Sequence, residues 1–424
     1  MEEKMKQFPE ENLPPDIQDI AERMNVDPQA IPPYELPKLP FDRNTSPLKF
    51  MQQVRPELLR LMGEYMYGEI PPRCEELRFE VTGEKEAFGG LGIRREIDII
   101  CRNNGKSQTL HMLLYIPKER KGKVPVFFGL NFKGNHACTD DPEVTFHPFD
   151  RYPNRFLKRL TDTRADKCDR GIQNSRWCFE EVLKAGFASA TINYYEISPD
   201  RYGQFDQSVL RLFYSKEQWL APDRKTGIIS AWAWGISRGI DALESQPELD
   251  MDKLIVHGHS RLGKTALWAG ANDQRITLTV SSGAGCCGAK LCHHYYGENF
   301  EWMDLWNNHW YCGKFREYVG RDMEYPVDQH FLLAAIAPRM VYIADAEDDT
   351  YADPMGEFLS LQAAQDAWKI FGMKGLNGEK FPGIRQRSGE ETAFFFNSGG
   401  HDFTPENWRD LLAFVREKIV KKEK

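Results

Sequence analysis

The chain of 424 residues lacks the features that would assign it to a membrane or to a nucleic acid. No apolar run approaches the roughly 18 residues that span a bilayer, so we expect no membrane partner. Basic residues are not in excess, because 63 acidic residues outnumber 55 lysines and arginines and the net charge is −8. This balance argues against nucleic-acid binding as the main role. Internal repeats and low-complexity tracts are also absent.

The N-terminus lacks the order of charged, apolar and small residues that marks a signal peptide. We therefore expect a cytoplasmic protein if the chain is complete as given, and a secreted or periplasmic protein if a leader has been removed. The first forty-five residues are rich in proline, and each proline biases its predecessor toward extended backbone. We predict an extended arm over residues 1–45 and a single domain over 46–424, since large folds often form one unit.

Cysteine is present, but not in a pattern typical of zinc sites. Nine cysteines is an odd number, so at least one stays outside any intramolecular disulfide. There is no Cys-x-x-Cys pair, and the adjacent Cys286 and Cys287 have a poor spacing for zinc. We expect mostly buried free thiols, which behave as small apolar residues. We predict neither a metal nor any other cofactor.

Apolar strand candidates alternate with helix candidates, and the strand Val124–Asn131 is apolar throughout, as a buried parallel strand should be. This alternation predicts an α/β fold with a mainly parallel central sheet and helices on both faces, a three-layer sandwich. Two long polar and aromatic stretches, about 132–176 and 285–335, interrupt the alternation, and we predict insertions around an active site. The predicted strands are Arg95–Cys101, Leu110–Ile116, Val124–Asn131, Ala188–Tyr195, Leu254–His257, Ile276–Ser281 and, as the last core strand, Met340–Ala344. The predicted helices are Pro56–Tyr67, Cys178–Lys184, Gly227–Leu243, Lys264–Ala269 and Glu406–Lys418.

The sequence Gly-His-Ser-Arg-Leu-Gly at 258–263 joins an apolar strand candidate to a helix candidate. A serine on a tight strand-to-helix turn is the nucleophile elbow of α/β-hydrolases, in which Oγ stands above the sheet edge. The following helix directs its free N–H groups at an oxyanion forming there. Glycine is usual two residues after the serine, but Leu262 occupies that position and Gly263 comes one later. The pattern predicts that Ser260 is the nucleophile.

A serine nucleophile needs a base and an acid, which follow it in that fold in the order Ser, Asp or Glu, His. His401 follows two glycines and precedes the closing helix, where a loop after the final strand would hold the base. His330 is the next candidate. The acid is expected in the loop 345–354, where Asp353 before Pro354 is typical of a helix N-cap.

Asp348 and Asp349 remain as candidates for the acid in that loop, and local chemistry does not separate them.

Two cations accompany the serine. Arg261 can add a fixed positive charge to the oxyanion hole, and Lys264 lies one helical turn on, facing the same pocket. Such cations suggest a substrate with an electron-rich or anionic face. The alternative is that both are solvated on the helix surface.

Between about Arg170 and Trp408 the chain resembles the bacterial form of the glucuronoyl esterase family of carbohydrate esterases. This family also carries Ser-Arg-x-Gly at its elbow, which accounts for Leu262. The matching segments, in order, are Trp232–Arg238, Gly258–Leu267, Ser282–Gly285, Gly297–Glu298, Asp328–His330, Ala337–Arg339, Ala352–Pro354 and Gly400–Asp402.

The resemblance implies hydrolysis of esters between the glucuronic acid branches of xylan and lignin alcohols, without a cofactor. It makes Ser260 the nucleophile, His401 the base and Arg261 an oxyanion-hole donor. It favours Asp349 as the acid through its spacing to Ala352–Pro354. It also makes Lys264 and Glu298 ligands of sugar hydroxyls.

Three positions depart from the family pattern. Ser281 replaces a glutamate that serves many members as an alternative acid, so the acid must come from the loop after residue 344. Tyr351 replaces a tryptophan near the sugar. His259 and Asp402 replace cysteines that form a bridge in fungal members.

The leading hypothesis is a monomeric serine esterase whose partner is a glucuronoxylan or lignin–carbohydrate ester. An acetyl or feruloyl esterase of the same fold is the first alternative, because a catalytic triad does not recognise the leaving group. A non-catalytic carbohydrate- or protein-binding member of the fold is the second.

Overall fold

The computed structural model describes residues 24–149, 167–201, 203–376 and 380–420. Ten strands form one sheet in the order β1-β2-β3-β5-β4-β6-β7-β8-β10-β9. The strands are β1 Glu76–Ala87, β2 Gly92–Asn103, β3 Lys106–Pro117, β4 Val124–Asn131, β5 Ala188–Asn193, β6 Leu249–His259, β7 Leu278–Ser282, β8 Met340–Ala346, β9 Gln386–Gly389 and β10 Thr392–Asn397.

The centre of the sheet is parallel, from β5 through β4, β6, β7 and β8 to β10. The flanking strands pair antiparallel, β1 to β2, β2 to β3 and β3 to β5 on one side, and β9 to β10 on the other. The predicted α/β-hydrolase fold with a mainly parallel centre is confirmed. Because parallel strands all end on the same edge, the loops after β6, β7, β8 and β10 meet there.

Two strand predictions were wrong, and the strands β1, β9 and β10 were not predicted. The strand Met340–Ala344 is not the last in the core, because β10 runs parallel beside it. The strand predicted to reach Tyr195 ends at Asn193, whose side chain caps a helical turn by accepting from the N–H of Tyr195. β1 was missed because most of its residues are exposed or half-buried and many are charged, so it lacks an apolar run.

The α-helices of six or more residues cover both faces of the sheet. Val126 and Phe128 of β4 lie in one core cluster, while Phe127 between them lies in another, as expected for side chains that alternate across a strand. Three layers result. The helices are α1 Arg55–Met62, α2 Phe179–Lys184, α3 Ile228–Glu244, α4 Arg261–Asn272, α5 Phe300–Asn307, α6 Gln329–Ala334, α7 Pro354–Ala363 and α8 Pro405–Val415, with shorter ones at Pro47–Lys49, Asn174–Trp177, Tyr194–Ile197, Lys216–Leu220 and Asp366–Lys369.

π-helical turns at Phe50–Val54, Gly63–Tyr67 and Arg416–Val420 continue the helices α1 and α8. In the described part of the chain, no helix combines the length and the apolarity that a bilayer span requires. Eight of the nine cysteines are buried free thiols, as predicted, and only Cys168 is exposed.

The described part of the predicted arm, from residue 24, lies against the segment 285–335. His330 Nε2 donates to the carbonyl of Pro37 at 3.0 Å, and Tyr34 meets the ring of His294 edge-on at 5.9 Å. Residues 1–23 of the arm and 150–166 of the first predicted insertion lie outside the described residues. The division into an arm and one domain stays a prediction.

His257 of β6 is buried among aromatic rings, and burial lowers its pKa to about 3. Below about pH 6.5 His257 binds a proton in the unfolded chain but stays neutral in the folded chain. The free energy of unfolding therefore falls as the pH falls from 6.5 to 3. We expect His257→Gln to reduce this slope by up to about 1.4 kcal/mol per pH unit in urea unfolding followed by circular dichroism. An unchanged slope would assign the acid sensitivity to other groups.

Candidate active site

Ser260 lies at the junction of β6 and α4 with φ 58° and ψ −131°, a left-handed backbone that is strained for a residue with a side chain. The turn is held by Ser260 N–H donating to Ser282 O at 2.8 Å and by Gly263 N–H donating to Ser260 O at 2.8 Å. A Cβ on Gly258 would lie 2.0 Å from the carbonyl oxygen of Leu262, so glycine is required there. Leu262 is tolerated because it already belongs to the helix.

His401 and Asp349 meet at the carboxyl edge of the sheet, where His401 Nδ1 donates to Asp349 Oδ2 at 2.6 Å. The Asp349 side chain is 4% exposed and that of His401 is 37% exposed. Gly283, with φ +50°, passes close to this pair, since a Cβ there would lie 2.9 Å from Asp349 Oδ2. The carboxylate therefore holds the orientation of the imidazole through Nδ1 and leaves Nε2 for another partner.

The alternatives to Asp349 and His401 have different environments. Asp348 is exposed, and its backbone N–H donates to the carbonyl of Gly399 at 2.9 Å. His330 is buried against the N-terminal arm through its bond to Pro37. Asp353 is the N-cap of α7, as predicted, and its Oδ1 accepts from Gly356 N–H at 2.9 Å. The geometry thus brings Asp349, and not these alternatives, to His401.

Ser260 and His401 line one cleft of about 410 Å³. The neighbouring His259 ring lies 4.5 Å from the His401 ring. Burial lowers the pKa of His259 far below its ordinary value, and the charges of His401 and Arg176 lower it further. His259 therefore stays neutral beside the reacting groups. The other lining residues are Phe132, Lys133, Ile172, Gln173, Ser175, Arg176, Arg261 and Asp402.

The Arg261 guanidinium is held on three sides at the wall of this cleft. Its Nη1 donates to Asp200 Oδ2, and its carbon atom Cζ lies 5.1 Å from the centre of the Trp310 ring and 5.9 Å from that of Phe132. Its Nε is buried, and no residue in the described ranges accepts a hydrogen bond from it. The Arg261 guanidinium thus lies in the wall of the cleft that Ser260 lines, where its positive charge suits a negatively charged oxygen.

Asp200 is a residue of the site that the sequence reasoning missed. It lies 61 residues before Arg261 in the chain, in a stretch with no motif, so no local signal marks it. Burial raises the pKa of this carboxyl, but the charge of Arg261 and hydrogen bonds from His309 and Trp310 outweigh it and hold the pKa below its ordinary value. Asp200 is therefore an ionised, buried carboxylate.

Lys264 is not solvated, so the alternative of two surface cations is wrong. It is 3% exposed, and its Nζ donates to Ala284 O and, at 2.6 Å, to Cys286 O. Glu298 accepts from the N–H of Cys286 at 3.2 Å, and its own N–H donates to Tyr351 O at 2.9 Å. The three residues assigned to the sugar by resemblance therefore lie on segments that are connected by hydrogen bonds.

Two more buried carboxyls lie behind Asp349. Burial raises the pKa of Asp345 well above its ordinary value, and the charges of Glu357 and Asp349 raise it further. Burial also raises the pKa of Glu357, whose Oε1 accepts from Gly285 N–H at 2.8 Å. Carboxyls whose pKa values are raised are protonated more readily than free ones, which reduces the like-charge repulsion that Asp345 and Glu357 exert on Asp349.

Three thiols form the one group in the described residues that could hold a metal ion. Cys286, Cys287 and Cys292 are buried, and their sulfurs lie within 4.8 Å of one another. Structural zinc sites are almost always four-coordinate, and the described residues add no fourth His, Cys, Asp or Glu to this group. The metal-free enzyme expected from the sequence stays a prediction.

The ten-stranded sheet, the strained serine between β6 and α4 and the histidine–carboxylate pair after β8 and β10 define an α/β-hydrolase. A family profile described as fungal glucuronyl esterase matches residues 179–372. Over 406 residues, 95% of this chain and 93% of the relative, the chain is 34% identical to the carbohydrate esterase MZ0003 of an unknown prokaryotic organism. The chain belongs to the glucuronoyl esterase family of carbohydrate esterases.

Solved structures agree with this assignment. A promiscuous esterase of carbohydrate esterase family 15 from a marine bacterial metagenome is 34% identical, with a TM-score of 0.85 over 93% of this chain and 100% of that chain. A glucuronoyl esterase from Solibacter usitatus is 33% identical, also with a TM-score of 0.85 and the same coverage of both chains. By sequence, the chain is also 38% identical to the 4-O-methyl-glucuronoyl methylesterase of Hypocrea jecorina over 161 residues, 36% of this chain and 35% of that protein.

Proposed function

We propose that this protein is a serine carboxylic-ester hydrolase that cleaves esters of glucuronic or 4-O-methyl-glucuronic acid, as in the lignin–carbohydrate links of glucuronoxylan. The observation that carries the proposal is the cleft that Ser260 and His401 both line, with His401 held by the buried Asp349. The relatives named as glucuronoyl esterases support the substrate class.

The reaction follows from the positions of these groups. His401 Nε2 removes the proton from Ser260 Oγ as the oxygen attacks the uronoyl carbonyl carbon. Negative charge moves to the carbonyl oxygen, where the backbone N–H groups of Arg261 and Leu262 at the start of α4 and the Arg261 side chain receive it. Collapse of this intermediate breaks the ester bond, and His401 gives its proton to the departing alcohol. Water, activated by His401, then hydrolyses the acyl-enzyme on Ser260 and releases the uronic acid.

Lys264, Glu298 and Tyr351 are the proposed contacts of the sugar. Glu298 is half-buried, and burial raises the pKa of its carboxyl while the nearby charges of Lys264 and His401 lower it. Lys264 has three N–H donors, two of which are directed at the carbonyls of Ala284 and Cys286. We propose that the third N–H donates to a sugar hydroxyl. Tyr351 presents a smaller ring than tryptophan, together with a hydroxyl group.

A broader esterase is the second candidate function, because a similar structure is described as a promiscuous esterase. The triad acts on any ester whose acyl group fits, including acetyl or feruloyl esters of xylan. The serine, imidazole and arginine of one cleft, with a buried carboxylate bound to the imidazole, argue against a non-catalytic binding protein.

Two single variants distinguish the candidates. We expect Arg261→Ala to lower kcat by about 10²- to 10³-fold on both benzyl glucuronate and a simple acetate ester, because it removes an oxyanion donor. Lys264→Ala should mainly raise KM for the glucuronate ester and hardly affect the acetate ester, which has no sugar. Steady-state kinetics on both substrates measures the contrast. Equal losses from both variants on both esters would mean that the residues support the fold, and would remove the chemical argument for a uronoyl substrate.

Chelators should leave the rate unchanged, because no step of the reaction needs a metal ion. The measurement is kcat on benzyl glucuronate after incubation with EDTA and dialysis. Loss of activity that added metal restores would contradict a metal-independent mechanism.

A secreted or periplasmic location suits a protein that acts on polymeric xylan, whereas a cytoplasmic protein would receive esters of short oligosaccharides. We further propose a monomer, since the exposed large apolar residues, such as Leu48, Ile172 and Ile384, are scattered along the chain. Cell fractionation and light scattering test these two points.

A further inference from the structure

We propose that Asp200 is a positioning residue for catalysis, which holds the Arg261 guanidinium in the orientation that serves the oxyanion. The inference rests on the proposed roles of Ser260 and Arg261. It adds a residue from a distant part of the chain to the reaction, and it explains how a long, flexible side chain can act as a fixed donor.

Asp200 receives four donors on its two carboxylate oxygens. Oδ2 accepts from Arg261 and, at 3.1 Å, from the hydroxyl of Tyr194. Oδ1 accepts from His309 Nε2 at 2.9 Å and from Trp310 Nε1 at 2.6 Å. These donors come from the helical turn Tyr194–Ile197 after β5, from α4 and from the 285–335 segment. The carboxylate therefore connects three separate parts of the structure at the guanidinium of Arg261.

The arrangement restricts Arg261 more than one ion pair would. The Asp200 side chain is 4% exposed, so its contacts do not compete with water. Trp310 both donates to Asp200 and provides the ring beside the guanidinium. An arginine bound at one end and packed against aromatic rings loses little freedom when a negative charge develops, and such preorganised donors stabilise a transition state most effectively. The carboxylate is thus expected to act on kcat through Arg261.

The first test is Asp200→Asn, which keeps the size of the side chain. An amide has an oxygen that accepts and a nitrogen that donates, so it faces four donors with one suitable atom and no charge. We expect kcat to fall about 10- to 100-fold on both benzyl glucuronate and an acetate ester, with KM nearly unchanged. A wild-type kcat in this variant would overturn the proposal.

A double variant distinguishes positioning from a separate role. If Asp200 acts only through Arg261, Asp200→Asn should change kcat by less than about threefold once Arg261→Ala is present. Losses that multiply in the double variant would overturn the proposal. This cycle also separates the proposal from the proposed function. If Ser260→Ala keeps its activity, the proposed function fails, whereas a low rate in Arg261→Ala with a normal rate in Asp200→Asn removes only the role of Asp200.

Chemical rescue provides a readout that a purely structural role would not affect. Free guanidinium, at concentrations well below those that unfold the protein, should restore part of kcat in Arg261→Ala by binding to Asp200 and Trp310. The same addition should not rescue the double variant Asp200→Asn, Arg261→Ala. Equal rescue of both variants, or rescue of neither, would contradict positioning by Asp200.

Asp241 offers a matched control for the loss of a buried carboxylate. It is 7% exposed, and it pairs with Arg238 at 2.8 Å and with Arg275 at 2.7 Å, outside the residues that line the catalytic cleft. Asp241→Asn should lower the melting temperature as Asp200→Asn does, and leave kcat unchanged. An equal fall of kcat in both variants would assign the effect to the fold and overturn the proposal.

Discussion

Replacing Ser260 by alanine should lower kcat on benzyl glucuronate by at least about 10³-fold, because no acyl-enzyme can form without Oγ. His401→Ala should cause a loss of similar size, since Oγ then keeps its proton at neutral pH. The two changes together should cost little more than either alone, as for groups that act as a unit. Stopped assays with high enzyme concentrations measure such residual rates.

Ser175→Ala is the matched control, because Ser175 lines the same cleft but has no part in the proposed reaction. It should keep the wild-type kcat to within about threefold. Substantial activity in Ser260→Ala or in His401→Ala would contradict the assignment of nucleophile or base. Both residues are exposed to the cleft rather than buried in the core, so the variants should fold, and their circular dichroism spectra should match the wild type.

Asp349→Asn should lower kcat severely, by about 10²- to 10⁴-fold, because an amide cannot stabilise the imidazolium and can select the wrong tautomer of His401. Asp348→Asn should be mild, since that side chain is exposed and its backbone contact is kept. The pair is a matched comparison of adjacent residues with the same chemistry. Kinetics with benzyl glucuronate and a thermal melt of each variant make the measurement.

The reverse order of effects would place the acid at Asp348 and contradict the 2.6 Å bond between His401 and Asp349. Another outcome would implicate Asp345 and Glu357, the buried carboxyls behind Asp349. If Asp349→Asn keeps its activity while Asp345→Asn or Glu357→Gln loses it, the functional acid belongs to that buried pair.

Much of the site could be predicted because its signals are local. The turn around Ser260 needs a strand, small neighbours and a helix within about a dozen residues, and all three are visible in the sequence. Val124–Asn131 was equally clear, because a strand buried on both faces is apolar at every position. The order of nucleophile, acid and base along the chain then restricted the partners to a few downstream residues.

Edge strands and long-range ion pairs gave no such signal. β1 is exposed and charged, so its residues resemble a loop. The role of Lys264 was ambiguous, because helical spacing directs a side chain to one side without showing whether water or backbone carbonyls are there. Only the packed structure shows that the segment 284–286 covers it.

By itself, the sequence determined the hydrolase fold, the serine at its elbow and the histidine before the last helix, because each depends on neighbours in the chain. The tertiary structure decided which of two adjacent aspartates meets His401, since burial distinguishes side chains that are chemically identical. It also decided the surroundings of Arg261, whose carboxylate partner lies 61 residues away. Contacts of this kind arise when strands and insertions converge at one edge of the sheet, and no local pattern encodes that convergence.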